Sequence, residues 1–184
     1  MQNAEQMLIT TGIYFLTGLT LTIYYNYLKP KPIKKWQVAI LIVVKVVFID
    51  RKRTQNYVLL CDQMRVASGG RRTEICAGMM DDAGDITSVV LKEVKEETGF
   101  DIKNKRDLME LGSIFPSPGR EEIFLYSWET TISEDIFKEK QRRIFGNASE
   151  GEEIKLSFVA MDELELKLMD MKAECAFRRY QRTN

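Results

Sequence analysis

The run WQVAILIVVKVVFID at residues 36–50 constrains the fold more than any other stretch of the chain. It is apolar almost throughout and rich in valine and isoleucine, whose branching at Cβ restricts the first side-chain torsion and favours strand over helix. Its apolar residues follow one another without alternating with polar ones, which is the pattern of a central strand, or two, covered on both faces. A chain containing such a strand must supply a layer on each side of it. The polar RKRTQN makes the turn that follows, YVLLCDQMR gives a partner strand, VASGGRR is a loop with two glycines, and TEICAG is a further short strand.

From Thr87 to Thr98 the period becomes helical. Thr87 or Asp85 caps the start, Val90 and Val94 lie one turn apart on a buried side, and Gly99 stops the helix. LMELGSIF, EEIFLYSWET and IKLSFVAM then read as strands, separated by the loop PSPGR and the polar segment around GNASEGEE. The last segment, DELELKLMDMKAECAFRRYQR, reads as an amphipathic helix with Leu164, Leu168 and Met171 on one side. Strands, helix, strands, helix predict an α/β (α+β) fold, a mixed β-sheet sandwiched between helices, in one domain over residues 37–184. Residues 1–36 form an extension. Within it 7–28 carry no charge and precede Lys29, Lys31, Lys34 and Lys35, so a membrane span is one reading. The alternation of Leu19, Leu21 and Ile23 with Thr20, Thr22 and Tyr24, with breaks at Gly12 and Gly18, favours a β-hairpin instead.

Composition removes several chemistries. There is no histidine, so Ser-His-Asp and Cys-His catalysis and histidine-ligated zinc are excluded together. Cys61, Cys76 and Cys175 are far apart and contain no Cys-x-x-Cys pair, which argues against a disulfide framework or structural zinc and for a reducing, cytoplasmic setting. Lysine plus arginine, at 27, equals aspartate plus glutamate, at 27, so no net field recruits nucleic acid.

Against that balance, KEVKEETG concentrates Glu93, Glu96 and Glu97 on nearly one helical face. Like charges at this spacing cost about 0.2–0.5 kcal/mol per pair, which a divalent cation would reverse. All-oxygen donors favour Mg²⁺ or Mn²⁺. The plain reading is a solvated face, with Lys92 and Lys95 beside the glutamates.

The surroundings decide between the two. The stretch from Gly78 to Phe100 resembles the Nudix hydrolase box, G-x5-E-x7-R-E-U-x-E-E-x-G-U with U apolar: Gly78 takes the first position, and Glu93, Val94, Glu96, Glu97, Gly99 and Phe100 fall in register. Gly84 and Lys92 depart from the pattern at the first glutamate and the arginine, positions that in the family mainly support the loop–helix–loop. DQMR and EICAG are similar to segments of the ADP-ribose and UDP-sugar diphosphatase branch, as are PSPGREEIFLYSWE, SEGEEIKLSFVAMDEL and, more loosely, YYNYLKPKPIKKWQ, so that the resemblance spans roughly residues 19 to 178.

The resemblance implies a Mg²⁺- or Mn²⁺-dependent hydrolase that cuts the pyrophosphate of a nucleotide sugar. Its metal ligands would be Glu93, Glu97 and the Ala77 carbonyl. Glu96 would complete the shell or orient a water, or else face solvent. Glu152 best matches the base on the family's acidic loop, with Glu150 and Glu153 as alternatives. Arg65 would clamp phosphate or a base carbonyl, or pair with Glu74. Trp36 would stack on a nucleobase or pack in the core, and Gly119 and Arg120 would shape the sugar-phosphate side. Cys76 reads as a small core residue and not a nucleophile. Relatives use the N-terminal hairpin in a homodimer, which becomes the expectation for residues 1–36. The departures at Gly84 and Lys92 leave open a binding or sensing module that does not cut.

Overall fold

The computed structural model describes residues 35–50, 52–80, 85–164 and 170–184. They belong to a unit spanning residues 34–184. The hairpin or membrane reading of residues 7–28 and the departure at Gly84 lie outside the described residues. No helix among the described residues is long and apolar enough to cross a membrane.

The valine- and isoleucine-rich run forms strand β1 (Lys35–Phe48), in which every residue from Val38 to Val44 is at most 4 % exposed. Val38, Ile40, Ile42, Val44 and Val46 enter one core; Ala39, Leu41 and Val43 enter the other. Two apolar faces explain the lack of polar alternation. Strand β2 (Arg53–Arg65), strand β3 (Gly70–Glu74) and strand β4 (Cys76–Met80) follow. Helix α1 (Ile86–Thr98) comes next, then β5 (Leu108–Ser117), β6 (Glu121–Ser133), α2 (Glu134–Arg142), β7 (Ile144–Phe145), β8 (Ile154–Ala160) and α3 (Met171–Thr183).

Among the described residues, eight strands make one mixed sheet in the order β5-β6-β1-β2-β8-β7, with β3 on β2 and β4 on β1. Strand β1 runs parallel to β6 along nearly its whole length, from Lys35↔Glu121 to Val47↔Ser133. Its other edge is divided: β4 takes Trp36 to Ile40, and β2 takes Ile42 to Phe48. The edge therefore forks at Leu41, and β4 leads directly toward α1. The first core packs Val90 and Val94 of α1 against β1, and the second packs Ala173, Ala176, Phe177 and Tyr180 of α3 on the opposite face. The sheet is thus held between helices, as the sequence predicts.

Asp85, not Thr87, caps α1: its Oδ1 accepts from the Thr87 amide at 3.1 Å, and Gly99 ends the helix in the left-handed region at φ 65°. Two elements differ from expectation. Helix α2 has no counterpart in the sequence reading. It opens on Ser133, whose hydroxyl accepts from the Ile136 amide at 3.4 Å, and docks through Phe137, whose ring lies 4.8 Å from Phe158 and 5.4 Å from Tyr57. The C-terminal helix begins at Met171, later than expected, because Asp170 caps it by accepting from the Lys172 amide at 3.2 Å. Leu164 is fully buried before the helix, Met171 is 51 % exposed, and Leu168 lies outside the described residues. The buried stripe is instead Ala173, Ala176, Phe177 and Tyr180, at the i, i+3, i+4, i+7 spacing of one helical face.

Candidate active site

Helix α1 packs against β4, and this contact sorts the three glutamates by depth. Glu97 is 3 % exposed. Its Oε2 accepts from the backbone N–H of Ala77 at 3.1 Å and from the Cys61 thiol at 3.7 Å. Burial raises its pKa to about 7: the hydrogen bonds from Cys76 and Ala77 oppose the rise, and the charges of Glu93 and Glu152 add to it. Both thiols are pushed up, first by burial and then by Glu97, so they stay protonated donors and Cys76 is no nucleophile. All three cysteines are free.

Glu93 lies over the backbone of Gly78. A Cβ built there would fall 2.1 Å from the Glu93 carboxyl carbon, so only glycine admits this approach. Glu96 is more exposed, and Lys92 answers both acids, with Nζ 3.6 Å from Glu96 and 3.9 Å from Glu93. The lysine at the departing position thus supplies local charge balance.

Glu93, Glu96, Glu97 and Glu152 line one cavity of about 310 Å³, together with Ala77, Gly78, Lys92, Arg65 and Lys172. Glu152 comes from the segment before β8. Its Oε2 accepts from the Asn147 amide at 3.1 Å, and its own amide donates to the Asn147 carbonyl at 3.1 Å. This loop is tied to α1: the Gly146 amide donates to the Glu96 carbonyl at 3.1 Å, and the buried Lys140 ammonium donates to the Thr98 carbonyl at 3.0 Å. Of the other two acids in the loop, Glu153 is exposed and sits 3.8 Å from Arg71, and the side chain of Glu150 lies outside the description.

Arg65 forms a two-point pair with Glu74, at 2.9 and 3.0 Å, and also lines the cavity. Burial alone would raise the Glu74 carboxyl, but Arg65 and Lys172 outweigh it and hold the pKa below the ordinary value. Trp36, Gly119 and Arg120, expected on the substrate, are not in this cavity. They line a separate hollow of about 100 Å³ with Lys35 and Phe115, where the β5–β6 turn meets the start of β1. The turn closes through a hydrogen bond donated by the Arg120 amide to the Ser117 carbonyl at 2.9 Å, and Gly119 holds φ 79°. Trp36 is also packed against the α1-side core.

Sequence reasoning missed two polar residues of the glutamate cavity, Gln37 and Lys172. No local motif marks either one; the fork in the edge of β1 and the cap of α3 place them.

The oxygen donors present, two carboxylates on successive turns beside the Ala77 backbone, suit a hard divalent cation. Among the described residues no three acidic or cysteine groups are already gathered to hold a metal ion. The fit therefore rests on Glu93, Glu97 and a backbone carbonyl, with waters to complete the shell.

The sequence pattern of the NUDIX domain matches residues 40–180. The chain is 31 % identical over 141 residues to "Nudix hydrolase 14, chloroplastic" of Arabidopsis thaliana, a match covering 70 % of this chain and 45 % of that protein, so the chain spans less than half of that relative's length. Among solved structures, the NUDIX domain of Shewanella oneidensis NrtR, complexed with ADP ribose, is similar with a TM-score of 0.59 at 13 % identity, covering 89 % of this chain and 97 % of that one. An ADP compounds hydrolase is similar with a TM-score of 0.58 at 14 % identity, covering 83 % and 74 %. A mutT/nudix family protein from Listeria innocua also gives 0.58, at 12 % identity, covering 83 % and 95 %. These three likenesses bear on the fold alone. With the domain pattern running from the middle of β1 to the buried face of α3, the chain belongs to the NUDIX family.

Proposed function

We propose that the chain is a hydrolase of the pyrophosphate bond in nucleotide sugars of the ADP-ribose or UDP-glucose type, dependent on Mg²⁺ or Mn²⁺. The observation that carries this reading is a single cavity lined by Glu93, Glu96, Glu97 and Glu152 together with the cations Arg65, Lys92 and Lys172. A pyrophosphate is an anion that needs both kinds of wall, carboxylates to hold a metal and a base, and cations to hold phosphate.

Glu93, Glu97 and the Ala77 carbonyl would hold the cation, which when bound neutralises phosphate oxygens and acidifies water. The hydrogen bond from the Ala77 amide fixes the Glu97 carboxylate, and Gly78 lets Glu93 sit close to the same loop. Glu96 orients the attacking water. Glu152, whose Oε2 is occupied by the Asn147 amide, takes the water's proton on Oε1. The water oxygen bonds to one phosphorus, and the bridging oxygen leaves with the other, giving a nucleoside monophosphate and a sugar phosphate. Trp36, Gly119 and Arg120, in the neighbouring hollow, would meet the ends of the substrate away from the reacting bond. The ADP-ribose named with the NrtR domain belongs to this substrate class.

A second reading, a module that binds such nucleotides without cutting them, draws on the ammonium of Lys92 among the glutamates. Assays of ADP-ribose and UDP-glucose with Mg²⁺ or Mn²⁺, and with EDTA, separate the two. Metal-dependent release of a nucleoside monophosphate, lost in Glu97→Gln, supports the enzyme; binding without product in any metal supports the module. A homodimer and a cytoplasmic setting go with the enzymatic reading, and light scattering and fractionation test them.

A further inference from the structure

Lys172 stands on the wall of the glutamate cavity although it belongs to the C-terminal helix, far from the family motif in sequence. Its side chain is only 16 % exposed, with Nζ 3.3 Å from Glu74 Oε2 and 3.5 Å from Asp170 Oδ1. One of its three N–H donors bonds Glu74 and Asp170 adds an ion-pair contact, so donors remain for the cavity that Lys172 lines. Arg65 uses Nε and Nη2 on the same Glu74 and keeps Nη1. One carboxylate therefore anchors two cations. The second acid, Asp170, caps α3 through the Lys172 amide, so its charge is partly spent on the positive end of that helix.

An ion pair sequestered this far from water contributes little net stability, because desolvation offsets the attraction. A short pair with surplus positive donors, lining the same cavity as four carboxylates, suits an anion held between the two groups. A single phosphate can satisfy one group only. Two adjacent phosphates can satisfy both, one beside the glutamates and one on the cations.

We propose that Lys172, set with Arg65 on the shared Glu74 anchor, is a specificity-determining residue that grips the second phosphoryl group of a diphosphate and so separates diphosphate from monophosphate ligands. This rests on reading the cavity as a pyrophosphate site, but it makes no demand that the bond be cut. Asp170 Oδ2, a buried acceptor with no hydrogen-bond partner among the described residues, lies on the same side chain that braces the lysine.

The test uses the full chain with Mg²⁺, calorimetric titration with α,β-methylene-ADP, whose bridging carbon resists hydrolysis, and AMP as the monophosphate control. Lys172→Met keeps the aliphatic stem, and Lys172→Arg keeps the charge. A charge-assisted hydrogen bond predicts that Lys172→Met binds the analogue about tenfold or more weakly, with AMP affinity changed by less than about twofold, and that Lys172→Arg recovers to within about threefold of the parent. Melting curves of each variant accompany the titrations, and a fold-only role would weaken both ligands alike. The proposal is overturned if Lys172→Met binds the analogue as the parent does, if both ligands weaken in proportion, or if the parent does not bind the analogue. Parent hydrolysis of ADP-ribose alongside unchanged Lys172→Met binding sinks the proposal and leaves the enzymatic reading standing. Lys172-dependent binding by a parent that hydrolyses nothing does the reverse.

Discussion

Replacing Glu97 by glutamine should stabilise the metal-free protein at alkaline pH while removing its activity. The carboxyl is 3 % exposed, and burial raises its pKa from the ordinary 4.5 to about 7. Between those values the folded chain keeps a proton that the unfolded chain has released. Stability therefore falls as pH rises through that window, and the deficit is complete above about pH 7. At 1.36 kcal/mol per unit the full deficit is about 3 kcal/mol. Glutamine keeps an acceptor for the Ala77 amide, bonded at 3.1 Å, and cannot ionise. The same oxygen still accepts from Cys61, but the NH₂ group takes the place of the other carboxylate oxygen and confronts the Cys76 thiol that hydrogen-bonds Glu97, which returns about 1–2 kcal/mol of the gain. The net is about 1–2 kcal/mol, or a rise in Tm of about 2–8 °C for a domain of this size. Thermal unfolding followed by circular dichroism in EDTA reads this directly, with the gain present at about pH 8 and gone at about pH 4. A variant melting at or below the parent at the higher pH would refute the claim that the ionised carboxylate is a burden on the metal-free fold. Excess Mg²⁺ should reverse the order, because only the parent offers the charge.

Gly78→Ala should displace Glu93, since the new Cβ would fall 2.1 Å from its carboxyl carbon; a misplacement of this kind predicts a loss of about a hundredfold in kcat/KM, checked with ADP-ribose and Mn²⁺. Phe177→Ala removes a side chain 1 % exposed from the core under α3 and should cost about 3–5 kcal/mol in urea unfolding. Lys140→Ala strips the Thr98 carbonyl of its 3.0 Å partner at the end of α1 and should cost about 1–3 kcal/mol, with faster amide exchange at Gly146 as the local readout.

The parts of the fold legible in the sequence were those in which a local signal and the tertiary demand coincide. Strand β1 is buried on both faces, and its unbroken apolar run says so. Helix α1 carries its own cap at Asp85 and its own stop at Gly99. Helix α2 escaped because EDIFKEKQR is mostly charged and its apolar anchors amount to Phe137 and the 40 % exposed Ile136, too thin a stripe to stand out. Its ends were marked all the same, by Ser133 ahead of Glu134 and Asp135, and by Lys140 and Arg142 in the last turn. The acidic half of the cavity could be read because α1 strings its glutamates at helical spacing. The basic half could not, because Arg65 and Lys172 meet only through Glu74, across 98 residues from the helix lysine. The division between the glutamate cavity and the hollow at Trp36 was likewise invisible, since it depends on where the β5–β6 turn lands beside β1.

The loop that delivers Glu152 closes on itself at Asn147 and is moored at Gly146 to the end of the glutamate helix. Six residues, 147 to 152, span that closure, and the pairing of Phe145 with Ile154 fixes its two ends. Replacing Ser149 would therefore remove the hydroxyl that donates to Asn147 Oδ1 at 2.7 Å and loosen the closure, and inserting a single residue would carry the carboxylate past its target. Loop length is thus the dial by which this segment sets how far its carboxylate extends.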